Sequence, residues 1–591
     1  MRYFVFIGVS FLLGIGLNAG SKYVKPVYLM SLHTHSSFSE GSGTMYNHIQ
    51  QAEQSSFDGI LWTDHMVRQQ SSLYIHKAYF ENMLDAEPVR PGRPSEAKFI
   101  GDGSDADYLV WQFDRERFTE GSASLRLGTR AEVSSGWRKA KLAYKTINRK
   151  ERISLYAEPH IMFDMRLRQL INDYSLVVRV TLSSESDGVT SEGNPRVIEF
   201  IPEGMLLPPI EGNVKRVITA PFRFDTWESV DFDLQFHAQR LWPDEIDLGF
   251  RTVEFLLYTK SGGLVEVLLD DFRITLEGDT NYDLFLRQRQ IGATHSSPSV
   301  RQYFGAEIEG PWEQDILSYS TRDHLVSMFP DDLPGMITFG PGTSNSLNYP
   351  ASAVDWVRNN DGVSILAHLF SSQLPPLELN SSDAVYVASR VLAEDAWGAD
   401  GIEIGYNFRG RPLSDFIRVW DVLSENRLYL TGVGCTDDHT VEPWSQRLNR
   451  FGSWLFADDA NGQSLCDSIR QGEVFFGDPF VFDPNGRLEI YQESGAYKMG
   501  DVVPIDEQWE NIRFRVEGAS IGDKLILFKN GNALGSLTFN EQDIDVTQSI
   551  YVRPGDWLRV EVHKPDGYAY LFSNPIYFIE SNRTPPADRA P

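Results

Sequence analysis

The sequence predicts an α/β fold interrupted by an inserted β-sandwich and followed by a second β-sandwich. Three observations predict it. A β-α-β-α order opens the chain, breaks off near residue 104 and returns at 279. Between those points lie short alternating apolar runs separated by Gly, Asp, Asn and Pro. From about Arg487 to Ile579 the alternation takes over again. With 591 residues the chain is too long for one core, and two to four domains are expected.

Each element follows from local pattern. Arg2 and the apolar run Tyr3–Leu17, then Ala19-Gly20-Ser21, read as a signal peptide over residues 1–21, because the run is shorter than the ~20 residues of a spanning helix. The mature chain is then exported, periplasmic or secreted, with no membrane span after cleavage. "VKPVYLMSLHTH" reads as a strand, "TMYNHIQQAEQSS" as a helix, "DGILWTDH" as a buried strand and "SSLYIHKAYFENML" as a second helix. "RPGRP" at 90–94 is a linker signal. These pieces give a first α/β part over 27–103, the insert over 104–278, a second α/β part over 279–484, the C-terminal sandwich over 485–582 and a frayed tail over 583–591. In the insert, "YSLVVRVTLS" and "LVEVLLDDFRITL" show the strand alternation.

The formal charge of −28, from 54 basic and 82 acidic residues, repels polyanions, so nucleic acid is excluded as a bulk partner. Two cysteines, Cys435 and Cys466, make no disulfide framework.

The chemistry lies at the ends of strand-like runs. Of 12 histidines, His33 and His35 end one run and His65 the next. Glu307 lies in "GAEIEG", His324 in "RDHLVSMF", His368 in "ILAHL", and Asp437 and His439 in "CTDDH". Strand alternation puts both members of each x-H-x-H or D-x-H pair on one face. Each histidine alone is explained as a hydrogen-bonded core or surface residue. As a set they are donors for divalent Zn, Mn or Fe.

These motifs, in this order, resemble the PHP (polymerase and histidinol phosphatase) superfamily: His33-Thr34-His35, Ser39-Glu40-Gly41, Asp64-His65, Gly305-Ala306-Glu307, Ala367-His368 and Asp437-Asp438-His439. The resemblance implies a distorted (β/α)7 PHP barrel with up to three divalent metal ions. It implies that His33, His35, Glu307 and Asp437 hold one ion, that Glu307 bridges to a second held by His324 and His368, and that Glu40, His65 and His439 hold a third. Two departures stand out: Glu40 replaces the commoner Asp or His, and His324 matches by order and loose context alone. Glu309, on the face of Glu307, is a fallback ligand. The implied activity is phosphoester hydrolysis, with Glu307, Asp437 and His439 in the catalytic set.

Arg409 and Arg411 in "GYNFRGRP" follow the Glu403 run and suit a phosphate at the site mouth; a solvated loop explains them equally. Glu403 and Asn407 are candidates for lining that mouth, and Asp64 for orienting a ligand histidine or capping a strand end. "TEGSASLRLGT" and "LLDDFRIT" in the insert resemble galactose-binding-like jelly rolls of the carbohydrate-binding type, which implies glycan binding. Its Trp111, Trp137, Trp227 and Trp242 are read as sugar platforms or, more simply, as core. The expected partner is a small-molecule or glycan-linked ester, phosphorylated in the first reading. Resemblance of the C-terminal extension to carbamate-hydrolysing metallohydrolases keeps carboxyl esters, carbamates and amides open. A non-catalytic glycan-binding protein on the same scaffold is the remaining alternative.

Overall fold

The computed structural model describes residues 25–36, 45–65, 76–78, 98–101, 109–119, 124–132, 136–145, 153–155, 159–184, 195–210, 212–245, 248–276, 281–308, 324–331, 333–335, 351–370, 381–405, 411–439 and 443–591. The signal-peptide segment, the "RPGRP" linker, Glu40, Glu309, Asn407 and Arg409 lie outside them.

The α/β expectation is corrected. Strand makes up 47% of the structure and helix 20%, so the fold is mostly β. The strands that carry the site motifs form no (β/α)7 PHP barrel but two mixed sheets. One runs in the order Arg301–Phe304, Gly59–Trp62, Val27–Thr34, Gly452–Phe456, Val474–Gly477 and continues into the C-terminal strands Ala569–Ser573, Trp557–His563, Lys524–Lys529 and Asn532–Thr538. The other has the order Ala306–Ile308, His324–Met328, Val363–Ala367, Gly401–Gly405, Thr431–Gly434. Val27–Thr34 pairs antiparallel with Gly452–Phe456, and His324–Met328 pairs antiparallel with both of its neighbours. Such pairing cannot arise from a uniform βα repeat, in which neighbours run parallel. Two isolated parallel bridges, Thr34 to Asp438 and His65 to Glu307, bring the edges of the two sheets together.

Gly305 makes the switch between sheets. Arg301–Phe304 pairs with Gly59–Trp62 in one sheet, and Ala306–Ile308 pairs with His324–Met328 in the other. A Cβ at Gly305 would lie 1.9 Å from the carbonyl oxygen of Ser327, so no larger residue fits this crossing.

The insert is a β-sandwich built on two very long strands, Pro159–Ser184 and Leu248–Leu276. They pair along most of their length, with a register break between Lys260 and Leu264. Near it Asn172, Ser261 and Gly262 adopt positive φ. Residues on either side pair with different partners: Arg196–Pro202 and Arg138–Lys145 on one stretch, Trp227–Asp233 and Ser124–Arg130 on the other. Leu127, Phe163, Val178, Phe200, Phe255 and Val267 belong to one apolar core. The expected helix over "SSLYIHKAYFENML" is corrected in part: His76–Ala78 is a strand, and it pairs with Leu248–Leu276. Lys98–Gly101 pairs with Arg138–Lys145. The sheet therefore starts drawing strands at residue 76, ahead of the expected boundary at 104.

The C-terminal strands are not independent of the site-bearing part. Val474–Gly477 pairs with Ala569–Ser573, and one core runs from Leu29, Ile60 and Trp454 to Leu488, Phe514 and Val560. Burying each such side chain contributes about 1.5–3 kcal/mol. The expected frayed tail is tied down as well: Arg589 is buried and donates to Thr431 Oγ1 at 2.5 Å. No helix among the described residues is long and apolar enough to cross a membrane.

Candidate metal centre

The two sheet edges meet at a cluster of histidines and carboxylates. His33 is the last residue but one of the Val27–Thr34 strand and His35 directly follows its end, on the same side by alternation. Both are fully buried. His65 lies three residues past Gly59–Trp62, and His368 directly past Val363–Ala367. His324 comes from the opposite direction. It starts the antiparallel strand His324–Met328, so its N-terminal end reaches the edge where other strands present their C-terminal ends. His368 and Asp437 have φ of 28° and 44°, strained values for residues with a side chain, and strain of this kind gathers at functional sites.

Glu307 is the hub. Its Oε2 lies 3.4 Å from His33 Nε2, 3.1 Å from His35 Nε2 and 3.1 Å from His65 Nδ1. Its Oε1 lies 2.8 Å from His368 Nε2 and touches His324 Nδ1. Each oxygen thus faces a different set of imidazoles, which is the arrangement a bridging carboxylate needs. Asp437 Oδ1 lies 3.5 Å from His33 Nε2, 3.4 Å from His35 Nε2 and 3.5 Å from His439 Nδ1. His33 Nε2 and His35 Nε2 are 3.0 Å apart. Two ligand atoms on one tetrahedral zinc, with bonds of about 2.1 Å, sit about 3.4 Å apart, so these separations suit a shared cation.

Donor atoms within 4.8 Å of one another form overlapping groups: His33, His35 and Asp437; His33, Glu307 and His368; His65, Glu307 and His324; His35, His65 and His439. The sequence-derived ligands His33, His35, His65, Glu307, His324, His368, Asp437 and His439 are all brought together here. His65 is shared more widely than expected, since it joins His324 and Glu307 as well as His439. The imidazole-and-carboxylate donor set fits a borderline divalent ion, and a fully buried carboxylate ringed by five imidazoles fits one better than it fits an apolar core.

The electrostatics agree. Burial alone would raise Glu307, but His65, His324 and His368 outweigh it and hold the carboxyl well below the usual range. Burial also opposes ionisation of Asp437, and His33 and His439 overcome it. His33 is pushed well above an ordinary imidazole: burial works against this, and Glu403 and Asp437 prevail.

A supporting layer holds the ligands. Asp64 accepts from Ser36 N at 2.9 Å, from Ser36 Oγ at 2.7 Å and from Gln288 Nε2. It therefore caps the turn after His35, the plainer of its two readings. Asp438 accepts from Arg447 Nη2 at 2.7 Å, and its carbonyl accepts from His35 N at 3.0 Å. Glu403 contacts His33 Nδ1 at 2.6 Å and so stands behind a ligand, not at a mouth. Its sequence signal was one carboxylate inside the all-buried strand GIEIG. Gln288 arrives from the helix Asn281–Thr294 and had no local signal. Arg411 is buried, lies 3.5 Å from Asp415 and stacks over Phe370, two residues from His368. Of the insert's tryptophans, Trp242 belongs to the core, while Trp137 and Trp227 are half-buried.

No protein-family model matches the chain, and no curated protein matches it. Among solved structures the chain is similar to a family 30 carbohydrate-binding module of a cellulosomal cellulase from Clostridium thermocellum (14% identity, 32% of this chain, 95% of that chain, TM-score 0.21). It is similar to a family 12 xyloglucanase from Bacillus licheniformis (12% identity, 31% and 98%, TM-score 0.22). It is also similar to a CBM22-1 xylan-binding domain from Paenibacillus barcinonensis (13% identity, 35% and 96%, TM-score 0.17).

Proposed function

We propose that the chain is an exported metal-dependent hydrolase, with a phosphoester as the first substrate class and a carboxyl ester, carbamate or amide as the second. One observation carries it: both oxygens of the buried Glu307 face imidazoles, five in all. His33, His35, Glu307 and Asp437 would hold one ion, Glu307, His324 and His368 a second, and His65 with His439 a third, in keeping with the PHP-like motif order. Divalent ions held there supply Lewis acidity, which acidifies water and offsets charge on the attacked group. The chain's own residues do the rest. Glu307 fixes the spacing of two ligand groups. His439, the most exposed of the cluster histidines at 30%, lies 2.9 Å from the Asp437 carbonyl through Nδ1, so that nitrogen donates and Nε2 is the atom left to ligate. Arg411, held on Phe370, is the cation that would meet an anionic substrate group.

The test is to load the mature chain with Zn, Mn or Fe, count the bound ions, and assay phosphomonoester, phosphodiester and carboxyl-ester substrates in parallel. Turnover of a phosphate ester that chelation abolishes is expected. Turnover of carboxyl esters alone selects the second class, and a chain that binds no ion overturns the reading.

Glycan binding is the second reading, and it has its own observation. Trp509 is 69% exposed and Tyr551 40% exposed, and they face each other across the paired strands Gln508–Glu517 and Ile544–Val552, part of a separate three-stranded sheet. Exposed aromatic pairs stack on sugar rings. Retention on soluble polysaccharides, lost in Trp509→Ala, supports this reading; equal mobility of both proteins removes it.

A further inference from the structure

Glu403 sits in the middle of Gly401–Gly405, a strand buried along its whole length, and is 1% exposed. Its Oε1 is 2.6 Å from His33 Nδ1, and its Oε2 accepts the backbone N–H of His368 at 2.8 Å. A carboxylate only accepts, so His33 must carry its proton on Nδ1. In the neutral ring, the form that binds a metal, that leaves the lone pair on Nε2, the nitrogen that lies against His35, Glu307 and Asp437. The second contact secures a different ligand. His368 adopts φ of 28°, and its backbone N–H has Glu403 as acceptor, which holds the peptide in that strained turn. The register allows both contacts, because Gly401–Gly405 runs parallel to Val363–Ala367, with Leu366 opposite Ile402.

We infer that Glu403 is a positioning residue that sets two ligands at once, the tautomer of His33 and the backbone of His368. This role requires no contact of Glu403 with substrate or ion. Resting on the metal reading above, the inference adds a residue that orders the ligands before any ion arrives. Carboxylates that hold ligand histidines in this way typically contribute 10–100-fold to metal affinity.

The experiment compares the full-length chain with Glu403→Gln. Glutamine keeps the size but offers one acceptor in place of two. If its oxygen serves the His368 N–H, its amide faces His33 Nδ1 as a donor and favours the wrong tautomer. Zinc is titrated into metal-free protein against a chromophoric chelator, with circular dichroism and Tm as folding controls. A folded variant that binds zinc about 10–100-fold more weakly is expected. Unchanged affinity and stoichiometry in the variant would overturn the role of Glu403 and leave the metal reading standing. A parent chain that binds no zinc overturns the role of Glu403 in zinc binding, and one that binds none of zinc, manganese and iron overturns the metal reading with it. Nitrogen NMR of the zinc-loaded parent chain decides independently, whether or not the variant folds. A proton on Nδ1 of His33, with Nε2 unprotonated, supports the inference; a proton on Nε2 overturns it.

Discussion

Two regions of the molecule bury a carboxylate completely and treat it in opposite ways. In the insert, Glu199 accepts from Arg179 Nη2 at 2.6 Å and from Arg216 Nε at 2.9 Å. Glu266 accepts from Arg126 Nη2 at 2.6 Å and lies 3.7 Å from Arg168. Arginine is always charged and only donates, so these contacts offset charge within the sheet and bring no lone pair that could hold a cation. At the sheet edges, Glu307 meets five imidazoles and no arginine among these contacts. A neutral imidazole brings a lone pair as well as a proton, so the ring of histidines can hold a cation that arginines would exclude. The kind of partner around a buried carboxylate, more than its burial, separates a structural glutamate from a ligand.

The sharpest way to break this comparison is to remove the charge of each carboxylate in turn. Glu307→Gln is expected to lose at least one ion and to lower kcat by at least about 100-fold, the scale of removing one strong electrostatic stabiliser. His439→Ala, at the rim, should deplete a single ion and cost less. Metal analysis and steady-state rates on the best ester substrate check both. If Glu307→Gln keeps its full metal complement, Glu307 is not a bridge, and the contrast with Glu199 fails.

Glu199→Ala should do the reverse. It strands Arg179 and Arg216, which are about one-seventh exposed, and removing one partner of a buried pair costs roughly 3 kcal/mol. Thermal unfolding should report that loss in the sandwich, with metal content and rate constants unchanged. A drop in bound metal would show that the insert helps to build the site.

How much of this was legible beforehand depends on the range of the cause. His33, His35, His65, Glu307, His368, Asp437 and His439 could be read from the chain because period-two alternation and strand ends leave local marks. The β character of residues 109–276 was legible for the same reason. The architecture around the site was not. Pairing direction is set by long-range contacts, and nothing local in "YFGAEIEG" announces that Gly305 carries the chain from one sheet into another. His324 was identified by order alone, since its place depends on an antiparallel partner. Gln288 reaches Asp64 from 224 residues away, and Glu403 looked like a mouth residue because its partner, His33, lies 370 residues earlier. The strand at His76–Ala78 was misread as helix because its short apolar spacing suits either period.

Asp421 is an intermediate case and gives the smallest, most specific prediction. On the helix Leu413–Glu425 it shares one buried arginine, Arg559, with a second carboxylate, Glu561. One positive charge for two negative ones is less than Glu199 enjoys. Burial therefore raises the Asp421 carboxyl to about 6, against the pull of Arg559. Its folded value lies above the unfolded one of about 3.9, so the native state binds this proton more tightly. The stability it contributes is fully present below the unfolded value and is lost as pH rises through about 6. Asp421→Asn removes that titration. The difference in stability between parent and variant should therefore move against the parent between about pH 4 and 7, by up to about 2–3 kcal/mol, and then level off. Tm measured for both proteins across that range checks it. A difference that instead grows in the parent's favour with pH would mean that the Arg559 ion pair outweighs burial, placing Asp421 with Glu199 as a fully compensated carboxylate.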